Sequence, residues 1–408
     1  MSRRAGEVEA DVCVVGGGPG GLALALALVK RGLRTAVLER APDGRREFRG
    51  ESLSPDGVWQ LERLGVLGEL REEALEVRRL EVADAGRTVL SVDFADFRHR
   101  HRHPLELPQP RLLAVLSAAA AEHPGHLPLP HWTATGLLRD GDRITGVRAA
   151  TPEGPRAVRA RLTVAADGRR STLRGMAGLA AAVTPLQRDV LWLRLPQVWA
   201  EPAYRVRIRG DRHALLLPDS GGTVRVGFNI PKGGLRELRA QGVGALLDRL
   251  DELAPELSEP ARKHIEDWSD TALLDIFSTV VPRWWAPGLV LLGDAAHTLS
   301  PVLGQGVHHA LADAAVLAPL VDAALRVGSP ATLDVALAEY QRRRQPPVAR
   351  SRALQARQER VFTWSSAPAA ALRRGVYRAL GASAPLRRRV LEPAYFADQQ
   401  AAQEEETT

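Results

Sequence analysis

From residue 12 to residue 29 the chain is uncharged, and the run is broken only by Gly16, Gly17, Gly18, Pro19, Gly20 and Gly21. Its length approaches that of a bilayer-spanning helix, but the glycines divide it into strand, turn and helix. Residues 11–15 read as a short buried strand, 22–31 as an Ala/Leu-rich helix closed by Gly32, and 34–39 as a second strand. Apolar spacing predicts helices over 58–70 (VWQLERLGVLGEL) and from Arg111 onward (RLLAVLSAAAAEH), with two short antiparallel strands over 79–94 between them. Strands are expected at 133–149 and 157–166. From 190 to about 279 the texture changes to strand-like runs (VLWLRL, YRVRIR, ALLLP, TVRVGFNI, ALLDIFST) with one helix over 235–253. A buried strand at 288–292 precedes a long Ala/Leu helix starting near Gly306. The chain then stays helical and Arg-rich to about 396, and QQAAQEEETT reads as a disordered polar tail. No solenoid repeat is present.

Composition narrows the classes. The chain has 408 residues, 45% hydrophobic and 25% charged, which suits a globular protein and excludes disorder, collagen and a disulfide scaffold. Its single cysteine, Cys13, can form neither an internal disulfide nor a cysteine-based zinc site, and reads as a small buried hydrophobe. The N-terminus (MSRRAGEVEADVC) lacks the pattern of a secretory signal, so the cytoplasm is the expected compartment. The net charge is +7, and only three of the 55 basic residues are lysines. Such a chain could bind nucleic acid, but the arginines are scattered among acids (RREEALEVRRLE), as on solvated faces, so no nucleic-acid partner is expected. In FRHRHRHP (97–104), an extended backbone puts three histidines on one face and three arginines on the other. Pro104 ends the run, and no metal ligands are assigned there.

The pattern Gly16-x-Gly18-x-x-Gly21 lies between a strand and a helix, the context that dinucleotide binding requires. The first glycine permits the tight turn, the second lets amides approach a diphosphate at the positive helix end, and the third lets helix pack on strand. Glu39 closes the next strand, where a carboxylate can accept bonds from ribose hydroxyls. This argues against a 2′-phosphorylated ribose and leaves FAD or NAD.

Two further segments follow in order: Asp167-Gly168-x-x-Ser171-x-x-Arg174, then Gly293-Asp294-Ala295-Ala296-His297 with Pro301 and Gly304-Gln305-Gly306. Together the three strongly resemble the single-component FAD-dependent monooxygenases of the aromatic hydroxylase type, which share the para-hydroxybenzoate hydroxylase fold. The resemblance covers residues 10 to about 325. It implies an α/β chain: a Rossmann-like FAD-binding domain, an inserted largely antiparallel β-sheet substrate domain and a helical C-terminus. The expected boundaries are 1–78, 108–182 and 286–330 for the FAD domain, and 79–107 and 183–285 for the substrate domain. The C-terminal helices would span 331–398 and the tail 399–408. It further implies that Gly16, Gly18, Gly20 and Gly21 face the FAD diphosphate, and that Glu39 and Arg40 meet the adenosine end. Arg49 and Arg111 would contact FAD, Asp167 and Gly168 would serve FAD and the passing NAD(P)H, and Asp294 would bind the ribityl chain. Pro301, Gly304, Gln305, Gly306, Val307 and His308 would line the isoalloxazine. His308 stands where the family usually has Asn, and either replaces that hydrogen bond or acts directly on substrate or flavin position.

The implied reaction uses NAD(P)H and O2 to hydroxylate or otherwise oxygenate an aromatic or polycyclic small molecule through a flavin C4a-hydroperoxide, in natural-product biosynthesis. A cofactor is needed because dioxygen reacts poorly with closed-shell organics, and the pocket must exclude water. Trp192, Leu193, Arg194, Tyr204, Leu215, Leu217 and Phe228 are candidate pocket linings. Arg205 and Arg207 are candidates for holding an acidic substrate, and His213 for a general base. The protein is expected to be a monomer or homodimer without a transmembrane segment. A halogenase on this scaffold would need a lysine after the Gly-Glu-Ser segment, but no lysine lies between Lys30 and Lys232. A reductase or oxidase on the same fold remains the alternative.

Overall fold

The structure, a computed structural model, describes residues 7–41 and 51–407. The glycine pattern sits between strand β1 (Glu7–Val15) and helix α1 (Pro19–Val29), with β2 (Thr35–Glu39) beside β1. Four parallel neighbours surround β1 in the order Leu289–Leu291, Gly154–Ala165, β1, β2, His126–Pro130. A hairpin of Thr133–Asp140 and Arg143–Thr151 extends this sheet. Every residue of α1 from Gly20 to Val29 is buried, so the helix is apolar all round. It lies between the sheet, the helix Gln109–Ala121 and the long helix Gly306–Val327. Cys13 is fully buried, and burial pushes its thiol up to about 12, so it packs and does not react.

A second, seven-stranded sheet runs Thr271–Leu274, Arg188–Pro196, Thr223–Pro231, Arg212–Pro218, Ala203–Arg209, Arg79–Asp84, Arg87–Asp93. It is antiparallel except where Ala203–Arg209 lies parallel to Arg79–Asp84. Its outer face packs Leu193, Leu216, Val226 and Phe228 against helices between 235 and 264. The single helix expected over 235–253 is two, because Gly242 takes φ +85° between them.

This alternation corrects several sequence readings. Phe228 and Leu193 belong to the outer, helix-covered core, on the face turned away from Tyr204 and Leu215. Arg205 and Arg207 point the same way. Arg205 pairs with Glu81 at 3.2 Å and stacks on Trp199, and Arg207 donates to Glu256 at 2.7 and 2.9 Å. A period-2 pattern separates two faces but cannot say which faces the cleft. His213 does turn inward, but it packs on Phe362 (ring centroids 4.4 Å apart). Burial, reinforced by Arg188 and Arg373, lowers its pKa to about 3, leaving it too weakly basic for the proposed role.

The C-terminal helices are part of the fold. Fully buried Arg373 donates to Asp84 at 2.9 Å and to the carbonyls of Gly210 and Trp364, clamping Ala367–Ala382 to the second sheet. The expected disordered tail is instead a helix, Ala397–Thr407. Asp56, on helix α2 (Pro55–Leu64), accepts the N–H groups of Asp398 (2.9 Å) and Gln399 (3.2 Å). A remote side chain therefore satisfies the first amides of a segment whose composition alone would leave it unfolded.

Two outcomes follow. Arg373→Met leaves the buried Asp84 with only the more distant Arg374 at 3.9 Å, and should cost about 3 kcal/mol, read as a lower thermal midpoint and earlier proteolysis of the C-terminal helices. For His213 the folded value lies below the unfolded value of 6.5, so the unfolded chain takes up a proton first on acidification. Its contribution is intact above pH 6.5 and falls by about 1.4 kcal/mol per pH unit down to about pH 3. His213→Gln should flatten urea-measured stability against pH by one proton in that window.

Candidate active site

Three loops leave the carboxyl ends of neighbouring parallel strands, where open α/β sheets bind ligands. The first is the glycine turn. Gly16 has φ +116°, and a Cβ there would sit 2.2 Å from the Ala166 carbonyl oxygen. At Gly21 a Cβ would lie 2.0 Å from the Gly16 oxygen. Gly18 precedes α1 without a side-chain cap and Pro19 occupies the first turn, so a positive helix end is left to an anion. Gly20 approaches Leu292 and Ala310, where its missing side chain lets α1 pack on the long helix. Glu39 accepts the Gly17 N–H at 2.8 Å and the Ala41 N–H at 2.9 Å, which holds its carboxylate over the turn. Arg40 follows and is exposed. Arg49 lies outside the described residues. Arg111 is engaged by Glu73 at 2.8 Å and Glu69 at 3.5 Å.

The second loop carries Asp167 and Gly168. One Asp167 oxygen accepts the N–H groups of Thr172 (2.8 Å) and Leu173 (3.1 Å), while the other, Oδ1, is buried with no hydrogen-bond partner. Gly168 has φ +84°. Ser171 caps the short helix Thr172–Met176, and Arg174 reaches the Ala295 carbonyl at 2.8 Å, tying this loop to the third.

The third loop runs from Gly293–Ala295, which contains Asp294, through the turn Pro301–Leu303 to the long helix. Gly304 has φ +63°, and Gly306 opens the helix with no side-chain cap. Gln305 is buried, donating to the Ala394 carbonyl and accepting from Gln355 at 3.2 Å. Val307 is buried. His308, also buried, bonds Asp398 through Nε2 at 3.0 Å, while its Nδ1 has no partner. Behind the turn, Asp313 accepts from the Gly293 N–H (2.9 Å), meets His297 Nε2 at 2.7 Å and binds Arg344 at 2.7 Å. Burial alone would raise the Asp313 carboxyl, but His297 and Arg344 hold it well below the usual range.

The inner face of the second sheet meets this third loop. Val302 and Leu303, like Leu215 and Leu217, pack against the apolar cluster that contains Tyr204. Trp192 lies against Gly227, where a Cβ would come within 2.8 Å of the indole. Sequence reasoning missed the charges at this junction. Arg225, 3% exposed, pairs with Glu51 at 3.0 Å and with Glu106, and donates to Ser52 at 3.2 Å. Tyr204 donates to Glu106 at 2.7 Å, and Arg194 reaches Glu51 at 3.4 Å and Asp219 at 3.6 Å. Burial pushes the Glu106 carboxyl up, opposed by Arg225. Arg225 within TVRVGFNI carried a weak signal, an arginine on an apolar strand. Nothing in the sequence joins it to Glu51 and Glu106.

These features fit a flavin dinucleotide: a glycine turn too close for side chains, two uncapped helix starts, and unpartnered buried atoms on Asp167 and His308. The family described as "FAD binding domain" matches residues 9–351. The chain is 34% identical over 370 residues to 6-methylpretetramide 4-monooxygenase of Streptomyces rimosus, covering 89% of this chain and 87% of that protein. It is 29% identical to protoasukamycin 4-monooxygenase of Streptomyces nodosus subsp. asukaensis, covering 85% and 87%. Among solved structures, Pseudomonas aeruginosa PqsL with 2-aminobenzoylacetate superposes with a TM-score of 0.77 at 25% identity, covering 91% of this chain and 99% of that one. The chain therefore belongs to this FAD-binding family and is an FAD-dependent aromatic monooxygenase.

Proposed function

We propose that the enzyme hydroxylates a polycyclic or phenolic aromatic small molecule held between the turn Pro301–Leu303 and the inner face of the seven-stranded sheet. The carrying observation is the shared apolar cluster of Val302 and Leu303 with Tyr204, Leu215 and Leu217. It puts the end of the third loop against an apolar wall. The names of its relatives support the substrate class: 6-methylpretetramide, protoasukamycin and anhydrotetracycline are each acted on by a monooxygenase similar to this chain.

In this reading Gly16, Gly18 and Gly21 receive the FAD diphosphate on their amides and Glu39 the adenosine ribose. Asp167, with its unpartnered oxygen, and Asp294 hold the middle of the cofactor. The backbone from Pro301 to Val307 meets its ring system. Bound FAD, reduced by NAD(P)H, supplies the electrons that activate dioxygen. The protein supplies position and dryness. Trp192, Leu215 and Leu217 exclude water and present a flat apolar surface to an aromatic ring. Arg194, at the open side of the buried Glu51–Arg225–Glu106 cluster, offers a donor to an acidic or phenolic oxygen.

NADH and NADPH oxidation should be stimulated by some members of a panel of phenolic and polycyclic compounds, with one oxygen atom of the product derived from 18O2. Peroxide formation without any oxygenated product across the panel, or a saturated product without oxygen uptake, would refute the proposal. Gly21→Ala forces α1 off the glycine turn and should weaken FAD binding by about a hundredfold, or about 2.8 kcal/mol, seen as colourless purified protein. Trp192→Ala should raise KM for the accepted substrate about tenfold while leaving FAD affinity unchanged, a loss of about 1.4 kcal/mol.

A further inference from the structure

The C-terminal helix Ala397–Thr407 enters the site through one residue. Its first turn lies against the start of the long helix Gly306–Val327, where Asp398 meets His308 Nε2 at 3.0 Å. Asp398 also accepts from Gln60 at 2.9 Å, and its own N–H is held by Asp56. His308 is 4% exposed, and with Nε2 taken by Asp398 the other ring nitrogen, Nδ1, has no hydrogen-bond partner among the described residues. That atom belongs to the first turn of a 22-residue helix whose start carries no side-chain cap. An uncapped helix start and an unspent imidazole nitrogen form a donor-rich corner suited to an electron-rich ring edge.

We propose that Asp398 is a positioning residue of the flavin site: bonded to Nε2, it fixes the His308 ring so that Nδ1–H is the donor presented to the carbonyl-bearing edge of the isoalloxazine. This rests on the reading that the turn Pro301–Val307 faces the cofactor. A cation there stabilises the reduced flavin, whose added charge resides on that edge.

The surroundings bear on His308 from every side. Burial alone would lower its pKa, but Asp398 and, more weakly, Asp56 raise it above the ordinary value. Asp56 is pushed up to about 6 by burial and by Asp398. Arg344 opposes the His308 charge, but its own charge is taken up by Asp313. His309, its ring 4.8 Å away, is held well below the ordinary value by burial and by the neighbouring cations, and stays neutral. Asp56, His308 and Asp398 place one ligand-type atom each within 4.8 Å, but His308 Nε2 is already bonded to Asp398, and we assign no metal to them.

The test compares wild type, Asp398→Asn and His308→Asn, each loaded with FAD, by the two-electron reduction potential at pH 8 and pH 6. His308→Asn should lower the affinity for reduced relative to oxidised FAD about tenfold at both pH values, a shift of about 30 mV. Asp398→Asn removes the main group that opposes burial, so at pH 8 it should show a deficit approaching that of His308→Asn, and it should move toward wild type only as the pH is lowered further than wild type requires. A merely structural tie would not recover with acid. If Asp398→Asn equals wild type at pH 8, or its deficit is the same at every pH at which the protein stays folded, the inference is wrong. Should a variant fail to fold, 15N-histidine spectra of the wild type decide. FAD addition should move the His308 Nδ1 resonance and leave Nε2 in place, and an unmoved Nδ1 overturns the inference. A wild-type chain that takes up no FAD overturns the functional reading and this inference with it.

Discussion

One buried guanidinium sets the geometry between the two sheets. Arg225 leaves the inner face of the second sheet and enters a space where Glu51 and Glu106 converge, with Ser52 and the Tyr204 hydroxyl completing the shell. A charge this deep is costly unless its partners are placed closely, so the cluster tolerates one arrangement and penalises the rest. Ser52–Leu53 pairs with Leu105–Glu106, and Leu105–Glu106 with Leu75–Glu76, so the knot ties a small three-stranded sheet to the seven-stranded one. The position of the seven-stranded sheet against Ser52–Leu53 and Leu105–Glu106 depends on it.

A second ionic system does similar work behind the cofactor side. Asp313 gathers the Gly293 N–H, His297 and Arg344, joining the third loop to the long C-terminal helix Pro330–Phe362. Arg344 also reaches His309, whose Nε2 meets Ser351 at 2.8 Å. The third loop is therefore braced by residues that come later in the chain. Arg373 with Asp84, and Asp56 with the start of Ala397–Thr407, extend the same logic to the second sheet and to α2. The C-terminal quarter is a scaffold for the site.

The Arg/His stretch 97–104 takes its meaning from this scaffold. It is not a regular strand with two faces. Each histidine finds a separate glutamate: His99 with Glu392 at 3.6 Å, His101 with Glu62 at 3.0 Å, and His103 with Glu76 at 3.2 Å. His99 also stacks on Phe396 with ring centroids 4.4 Å apart, and Gln399 bonds both the N–H and the carbonyl of His101. The stretch is a seam that receives the C-terminal helices.

The features legible in the sequence were those decided by local sterics and short spacing. A glycine with φ +116° and another whose Cβ would strike a carbonyl oxygen leave a periodic signature, and so do a fully buried helix and a carboxylate ending the next strand. These encode strand, turn, helix and the cofactor class. What the sequence could not show were choices between equivalent local alternatives. Alternation in Ala203–Arg209 marks two faces, but only the packing of helices 235–264 decides that Arg205 and Arg207 look away from the cleft. A polar tail reads as disordered until Asp56, more than 300 residues earlier, caps its first turn. Buried ion pairs between distant segments leave no periodic trace, because each partner alone resembles an ordinary surface charge. Their energy exists only once tertiary structure removes the water between them.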